Sequence, residues 1–428
     1  LTTYARFSDG INDGLDEYYN TDNGGVDYVN LDRAANGQDG TSSGYDFKLD
    51  YVHPFNEGSK LEVGFASKST DRGDSQIAEI FNEATNSFVS DREFSNEFEY
   101  NETVHAAYLQ YGGSIGFFGI NAGGRYETVD MFSELKTTNE KFENPYSSFY
   151  PSLSVTFGAP QLLQIQTSYS KRVNRPRSRM INPFSSRQDN KNIRVGNPFL
   201  KPEYTDSYEI NFSRFSRGLS LSLGGYYRHT TDKMQRHKEM RADGVSVATY
   251  ANIKDQKTQG IDYSVVGSLG KKLRLMFSGS VFWDEINTDL YGSDYDNTAQ
   301  GQRLRFTTMW NINPTTEFSF FMFYMPARDI AIGRMDAMSF SSMSVKKKFM
   351  DERFNLTLNV GDPFNLSGFS FYTSGDNWEQ ESSRNWSSRT IRLTLEYRFG
   401  KMEDKSRYSR QRGRGQGMDM EEGAGEIF

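Results

Sequence analysis

The residues best equipped for recognition chemistry are arginines crowded into one stretch: Arg175, Arg177, Arg179, Arg187 and Arg194. Lys191 and Lys201 accompany them, and only Asp189 and Glu203 oppose them. A guanidinium presents a planar fork of donors that matches a carboxylate or phosphate in bidentate fashion. Four prolines, Pro176, Pro183, Pro198 and Pro202, punctuate the same stretch. Each fixes φ and withholds a ladder donor, so no strand continues through 172–203 and the segment is expected to be a stiff loop. Two readings stay open. Either the arginines hold the loop to its surroundings, or they form an anion-recognising surface. The five arginines are the candidate ligand-binding residues.

Other chemistries are poorly supplied. The chain has no cysteine, which excludes disulfides, a cysteine-based zinc site and a thiol nucleophile. Its four histidines, His53, His105, His229 and His237, are too scattered for a metal site or a catalytic triad, although His229 and His237 could approach each other. Asp9, Asp13, Asp16, Glu17, Asp22, Asp27, Asp32 and Asp39 make 8–43 acidic, and 70–99 is acidic as well. Neither segment, nor Asp294-Tyr295-Asp296, has the spacing of a calcium loop. No metal, cofactor or enzyme is expected. A net charge of -7 and a pI near 5.4 argue against nucleic-acid binding.

The elements that must position the arginine loop follow from composition and period. At 428 residues with a mean hydropathy of -0.71, the chain has no run of 18 or more apolar residues, which excludes a transmembrane helix bundle. Yet 14% of residues are aromatic, 33 Phe and 25 Tyr among them. A lipid-facing barrel needs apolar side chains only at alternate strand positions, with aromatics at the interfaces. The alternation is visible. Ile391, Leu393, Leu395, Tyr397 and Phe399 share one parity, and Arg392, Thr394, Glu396 and Arg398 the other. In 272–284 the odd positions include Leu273, Leu275, Phe277, Val281 and Trp283, with Met276 and Phe282 as even-numbered exceptions. Tyr226-Tyr227, Trp283, Trp310, Phe320 and Tyr324 are expected at the interface or in lipid.

Strands are predicted at 1–7, 44–54, 59–69, 100–111, 115–129, 148–157, 161–171, 204–215, 218–231, 256–268, 272–284, 301–311, 316–325, 338–348, 352–362 and 389–399. Many reach the nine to eleven residues that a tilted strand needs to cross the hydrocarbon layer. Tight turns are expected at Phe55–Gly58, Gly112–Ser114, Gly158–Pro160, Ser216–Arg217, Gly270–Lys271, Ile312–Thr315 and Phe349–Asp351. They alternate with long connections such as 8–43, 70–99, 172–203, 232–255 and 363–388. Short turns on one side and long loops on the other are the pattern of an outer-membrane barrel. The fold class is therefore all-β, a transmembrane antiparallel outer-membrane β-barrel with about sixteen strands visible. Residues 1–400 make the barrel, and the polar 401–428 a disordered periplasmic tail.

The stretches Tyr169 to Pro176, Asn182-Pro183-Phe184, and Gly196-Asn197-Pro198 through Lys201-Pro202-Glu203 to Ser207-Tyr208-Glu209 resemble a loop of TonB-dependent receptor barrels. Glu396-Tyr397-Arg398-Phe399-Gly400 resembles the terminal strand of the related outer membrane β-barrel family. The resemblance implies ligand uptake across the outer membrane, energised by a TonB–ExbB–ExbD complex, with a plug gating the lumen. Lipids and lipopolysaccharide would surround the wall, and an outer-membrane lipoprotein is a further candidate partner. The chain begins at Leu1 without Met, a TonB box or a plug, which points to a removed leader or to part of a longer protein. On the latter reading the strands belong to a 22-strand barrel. A sixteen-strand passive porin and a scaffold in a multiprotein outer-membrane complex are the alternatives.

Overall fold

The structure, a computed structural model, describes residues 1–19, 33–82, 84–92, 94–159, 161–189, 192–242, 244–288, 298–330, 333–375, 378–384 and 389–399. Sixteen strands succeed one another along a single wall. The first eight are β1 (Thr2–Tyr19), β2 (Arg33–Asn56), β3 (Ser59–Asn82), β4 (Asn96–Ile115), β5 (Phe118–Leu135), β6 (Tyr146–Ala159), β7 (Leu163–Asn174) and β8 (Glu203–Ser216). The second eight are β9 (Leu219–Met240), β10 (Ser246–Leu269), β11 (Leu273–Asn287), β12 (Thr298–Asn313), β13 (Thr316–Met325), β14 (Met338–Phe349), β15 (Phe354–Gly361) and β16 (Thr390–Tyr397). Each pairs antiparallel with its sequence neighbours. Among the described residues no pairing joins β1 to β16, so the wall has two open edges.

All sixteen predicted strands are present, and seven hairpins turn tightly at one end. Two turns differ from expectation. Gly158 and Ala159 lie in the ladder opposite Gln164 and Leu163. Gly112 and Gly113 likewise lie in the ladder, opposite Asn121 and Ile120, and the chain reverses at Gly116, whose φ of +61° suits glycine. At the other end the strands run well past their predicted limits. The β1–β2 ladder continues from Ser8↔Gly44 to Tyr19↔Arg33, so much of 8–43 is hairpin arm, with Asp13 opposite Asp39. Segment 232–255 is likewise a hairpin, paired out to Met240↔Ser246. Short strands at Arg328–Ile330, Gly333–Met335, Phe369–Gly375 and Trp378–Arg384 form a separate four-stranded sheet above β13 to β16. The tail 401–428 and Asp294-Tyr295-Asp296 lie outside the described residues.

Register assigns the faces, because residues directly opposite in a ladder project the same way. Asn211, Gly224, Asp262, Ser280 and Arg303 form one row across β8 to β12. The next row reads Phe212, Leu223, Tyr263, Gly279 and Leu304. The first row is the lumen face and the second the lipid face. Ser278, beside Ser264 and Arg305, faces the lumen, while Leu275 lies with the lipid-side row three residues from its turn. Tyr169, Tyr208, Tyr227 and Trp283 sit on the lipid side about one span from the turns, an interfacial belt. Tyr226 departs from its expected lipid position, and the exceptional Phe282 shares its lumen row. They pack over Gly260 and Gly301, where an added Cβ would lie 2.5 Å from the Tyr226 hydroxyl and 2.2 Å from the Phe282 ring. Arg303 and Arg328 flank Phe282 at 5.1 and 5.4 Å from the ring centre, so an aromatic is well accommodated in a polar lumen.

Candidate functional site

The long-loop end closes over itself through the proline-rich segment. A strand tilted at about 45° crosses the hydrocarbon in nine to eleven residues, so β4, β5, β9 and β10 project beyond it. There Phe98 and Tyr100 of β4, Met131 and Leu135 of β5 and Met234 of β9 turn their side chains inward. Ile181 and Leu200 of the loop complete a buried core with them, and Met180, Phe184 and Tyr250 pack against it. The loop therefore folds into the mouth rather than outward. Pro176 and Pro198 are buried there as well.

The residues that carry the family resemblance build this inward fold. Asn182 ends a one-turn helix, Ser178–Ile181, and its carbonyl accepts the Gly196 N–H at 2.8 Å. The Asn197 N–H donates to the Met180 carbonyl at 2.7 Å. A Cβ on Gly196 would lie 2.4 Å from the Asn182 carbonyl oxygen, so only glycine allows the two motifs to touch. Asn197 Nδ2 donates to the Tyr250 carbonyl at 3.0 Å, and Asn144 Nδ2 to the Pro198 carbonyl at 2.8 Å. Glu203, 5% exposed, accepts from Asn174 Nδ2 at 2.8 Å and from the Met234 N–H at 2.9 Å. These motifs are joinery.

The candidate arginines divide accordingly. Arg175 donates through Nε to the Tyr146 hydroxyl at 2.7 Å and pairs with Glu127, which Arg125 also binds at 2.5 Å. Glu127 is 5% exposed, so Arg175 is engaged in the wall. Arg177 and Arg179 are exposed on the loop crest, whereas the Arg187 side chain lies outside the described residues. Arg194, half-buried, belongs to the short strand Asn192–Val195, which pairs with Ser185–Asp189 and, in parallel, with β10 through Asn192↔Ser246 to Arg194↔Ala248. That ladder joins 172–203 to 232–255. Sequence reading missed two cations that this juncture collects, Arg236 and Lys238 of β9, because the parallel pairing spans distant segments. Burial and the Arg194 charge hold Arg236 below its usual pKa, and burial and the Arg236 charge do the same to Lys238. His229 and His237 are not brought together, since eight residues of one extended strand hold them about 26 Å apart.

No curated protein sequence matches this chain. Among solved structures it is similar to the ferric citrate transporter FecA in its unliganded form, with 12% identity and a TM-score of 0.61, covering 92% of this chain and 58% of that one. It is similar to the copper transporter OprC, with 12% identity and a TM-score of 0.68, covering 93% of this chain and 62% of that one. The ferric yersiniabactin uptake receptor FyuA from Yersinia pestis shares 11% identity at a TM-score of 0.58, over 91% of this chain and 58% of that one. These likenesses are of fold, and the chain spans about three-fifths of the length of the proteins it resembles. The model of one family, described as outer membrane protein beta-barrel, matches residues 1–397, so the chain belongs to that family and resides in the cell outer membrane.

Proposed function

We propose that this chain forms the channel wall and ligand-facing mouth of an outer-membrane uptake receptor. The observation that carries the reading is the mouth itself. A polar lumen is overhung by a loop that folds inward and is fixed by its own core, which suits a gate for a solute more than a flat docking face. The similarly folded proteins are described as transporters of ferric citrate and copper and as a ferric yersiniabactin uptake receptor. Energy would come from TonB, ExbB and ExbD in the inner membrane. An unpaired strand edge is costly in lipid, so further strands would complete the wall between β16 and β1, and a plug would fill the lumen. Residues 1–400 are the wall and its mouth on this reading, and 401–428 a periplasmic tail. Lipid and lipopolysaccharide surround the apolar face, and an outer-membrane lipoprotein is a further partner to seek over the mouth. Arg177, Arg179 and Arg194 are the arginines of the loop best placed for the ligand, while Arg175 serves the wall.

The test follows solutes in the medium. Cells with the protein, without it, and with TonB disabled are compared by mass spectrometry of the spent medium. Depletion of a solute that requires both the protein and TonB is the expected result. Identical depletion in all three, with the protein folded in the outer membrane, would instead favour a scaffold.

A further inference from the structure

The juncture of the two mouth loops places three cations on one face. Arg194 stands opposite Ala248 in the parallel ladder, and Ala248 stands opposite Lys238 in the antiparallel one. Arg194 and Lys238 therefore flank Ala248, about 10 Å apart across two strand spacings. Arg236, two residues back along β9, follows on the same face about 7 Å from Lys238. The face is the inner one, since Met234, the next residue of that parity, lies in the core inside the mouth. Ala248 carries only a methyl group and is 4% exposed, so it is recessed beneath the longer side chains around it. Tyr250, opposite Arg236, borders the face, and Lys238 Nζ donates to the Gln380 side chain from the four-stranded sheet.

We propose that Arg194, Arg236 and Lys238 form a binding site on the inner face of the mouth for a soluble, multiply charged oxyanion, a polycarboxylate or polyphosphate. Half-buried like charges repel one another, and a ligand of opposite sign relieves that repulsion while accepting two guanidinium forks and an ammonium. The pKa depressions of Arg236 and Lys238 accord with such crowding. Lipopolysaccharide phosphates lie around the outside of the wall, whereas this face looks inward. The site deepens the uptake reading, on which it rests for the ligand's passage but not for its binding.

The experiment titrates the full chain in detergent micelles by calorimetry with citrate, inorganic pyrophosphate and, as a singly charged control, acetate. Citrate or pyrophosphate is expected to bind, acetate at least tenfold more weakly, and added salt should weaken both. The double variant R236Q/K238Q should lose at least tenfold in affinity, while Arg217→Gln, exposed at a tight turn at the far end of the wall, should change it less than twofold. Ala248→Glu, which sets a carboxylate among the cations without removing any, should abolish binding, and Arg236→Lys should retain part of it. Heat-modifiable gel mobility verifies that each variant is folded. The proposal is overturned if neither polyanion binds, if R236Q/K238Q binds as the parent does, or if only lipopolysaccharide binds through these residues. Binding that depends on the three cations without TonB-dependent uptake would remove the uptake reading and leave this site standing.

Discussion

The wall and the mouth are built from the same strands, yet they bury opposite faces. In β4, Leu109 and Tyr111 point outward and are exposed, whereas Phe98 and Tyr100 further up have the other parity and are buried. In β5, Phe118, Ile120 and Tyr126 are exposed on one parity, and Val129, Met131 and Leu135 are buried on the other. In β9, Leu219, Leu221 and Leu223 give way to Met234 in the same manner. The register is unshifted through each change, even where Asp232, with a φ of +51°, drops out of the β9–β10 ladder, so the strands do not slip. What changes is the solvent. In the hydrocarbon layer the apolar face is the outer one, because lipid lies there and the lumen is polar. Above it water lies outside, and apolar side chains turn inward to a protein core. One strand thus carries two amphipathic patterns in opposite phase, joined where it leaves the membrane.

Substitutions on either side of the membrane boundary test these two burial patterns separately. The largest contrast is one of access. A cysteine at Phe199, exposed on the mouth, should label in intact cells with an impermeant thiol reagent, and one at Leu162, exposed at a tight turn, should label only after the outer membrane is opened. Labelling of position 162 alone would invert the orientation. Next, Leu223→Arg places a charge on the lipid face five residues from its turn, near the midplane, and should cost about 2–4 kcal/mol in folding into lipid vesicles. Ser222→Arg, one residue away but facing the lumen, should cost far less, and equal costs would sink the face assignment. In the mouth, Arg175→Gln leaves the buried Glu127 with Arg125 alone and removes the donor to the Tyr146 hydroxyl, and should cost about 2–3 kcal/mol, measured by urea titration in micelles. No measurable loss would mean that the pair is not formed. Gly196→Ala forces a Cβ against the Asn182 carbonyl and should cost about 1–2 kcal/mol, with protease sensitivity gained at the loop while the wall keeps its heat-modifiable mobility. Smallest of all, R177Q/R179Q on the exposed crest should shift stability by less than about 0.5 kcal/mol, and a larger loss would show that crest to be structural.

How far the sequence could be read follows from this reversal of phase. Within the membrane, lipid on one side and water on the other impose a strict alternation, so 272–284 and 389–399 announce themselves and all sixteen strands were legible. Above it the alternation changes parity, and strands β3, β4, β9 and β10 look broken where the register is in fact continuous. That is why 232–255 reads as a loop although it is a hairpin. The Gly112-Gly113 pair misleads for a different reason, since glycine tolerates both a turn and a ladder.

The arginine stretch shows the same limit at the level of single residues. The sequence determined on its own that no strand runs unbroken through 172–203, because four prolines interrupt it, and that the segment is rich in anion-binding forks. It also determined the barrel architecture, through the period of two and the alternation of short and long connections. Only the tertiary structure decided that Arg175 is spent on Glu127, and that Gly196 must be glycine because the Asn182 backbone touches it. It alone set Arg194 beside Arg236 and Lys238. Local pattern fixes how a strand meets its solvent, whereas these contacts join residues that lie well apart along the chain, and their partners are chosen by the folding of the loop into the mouth.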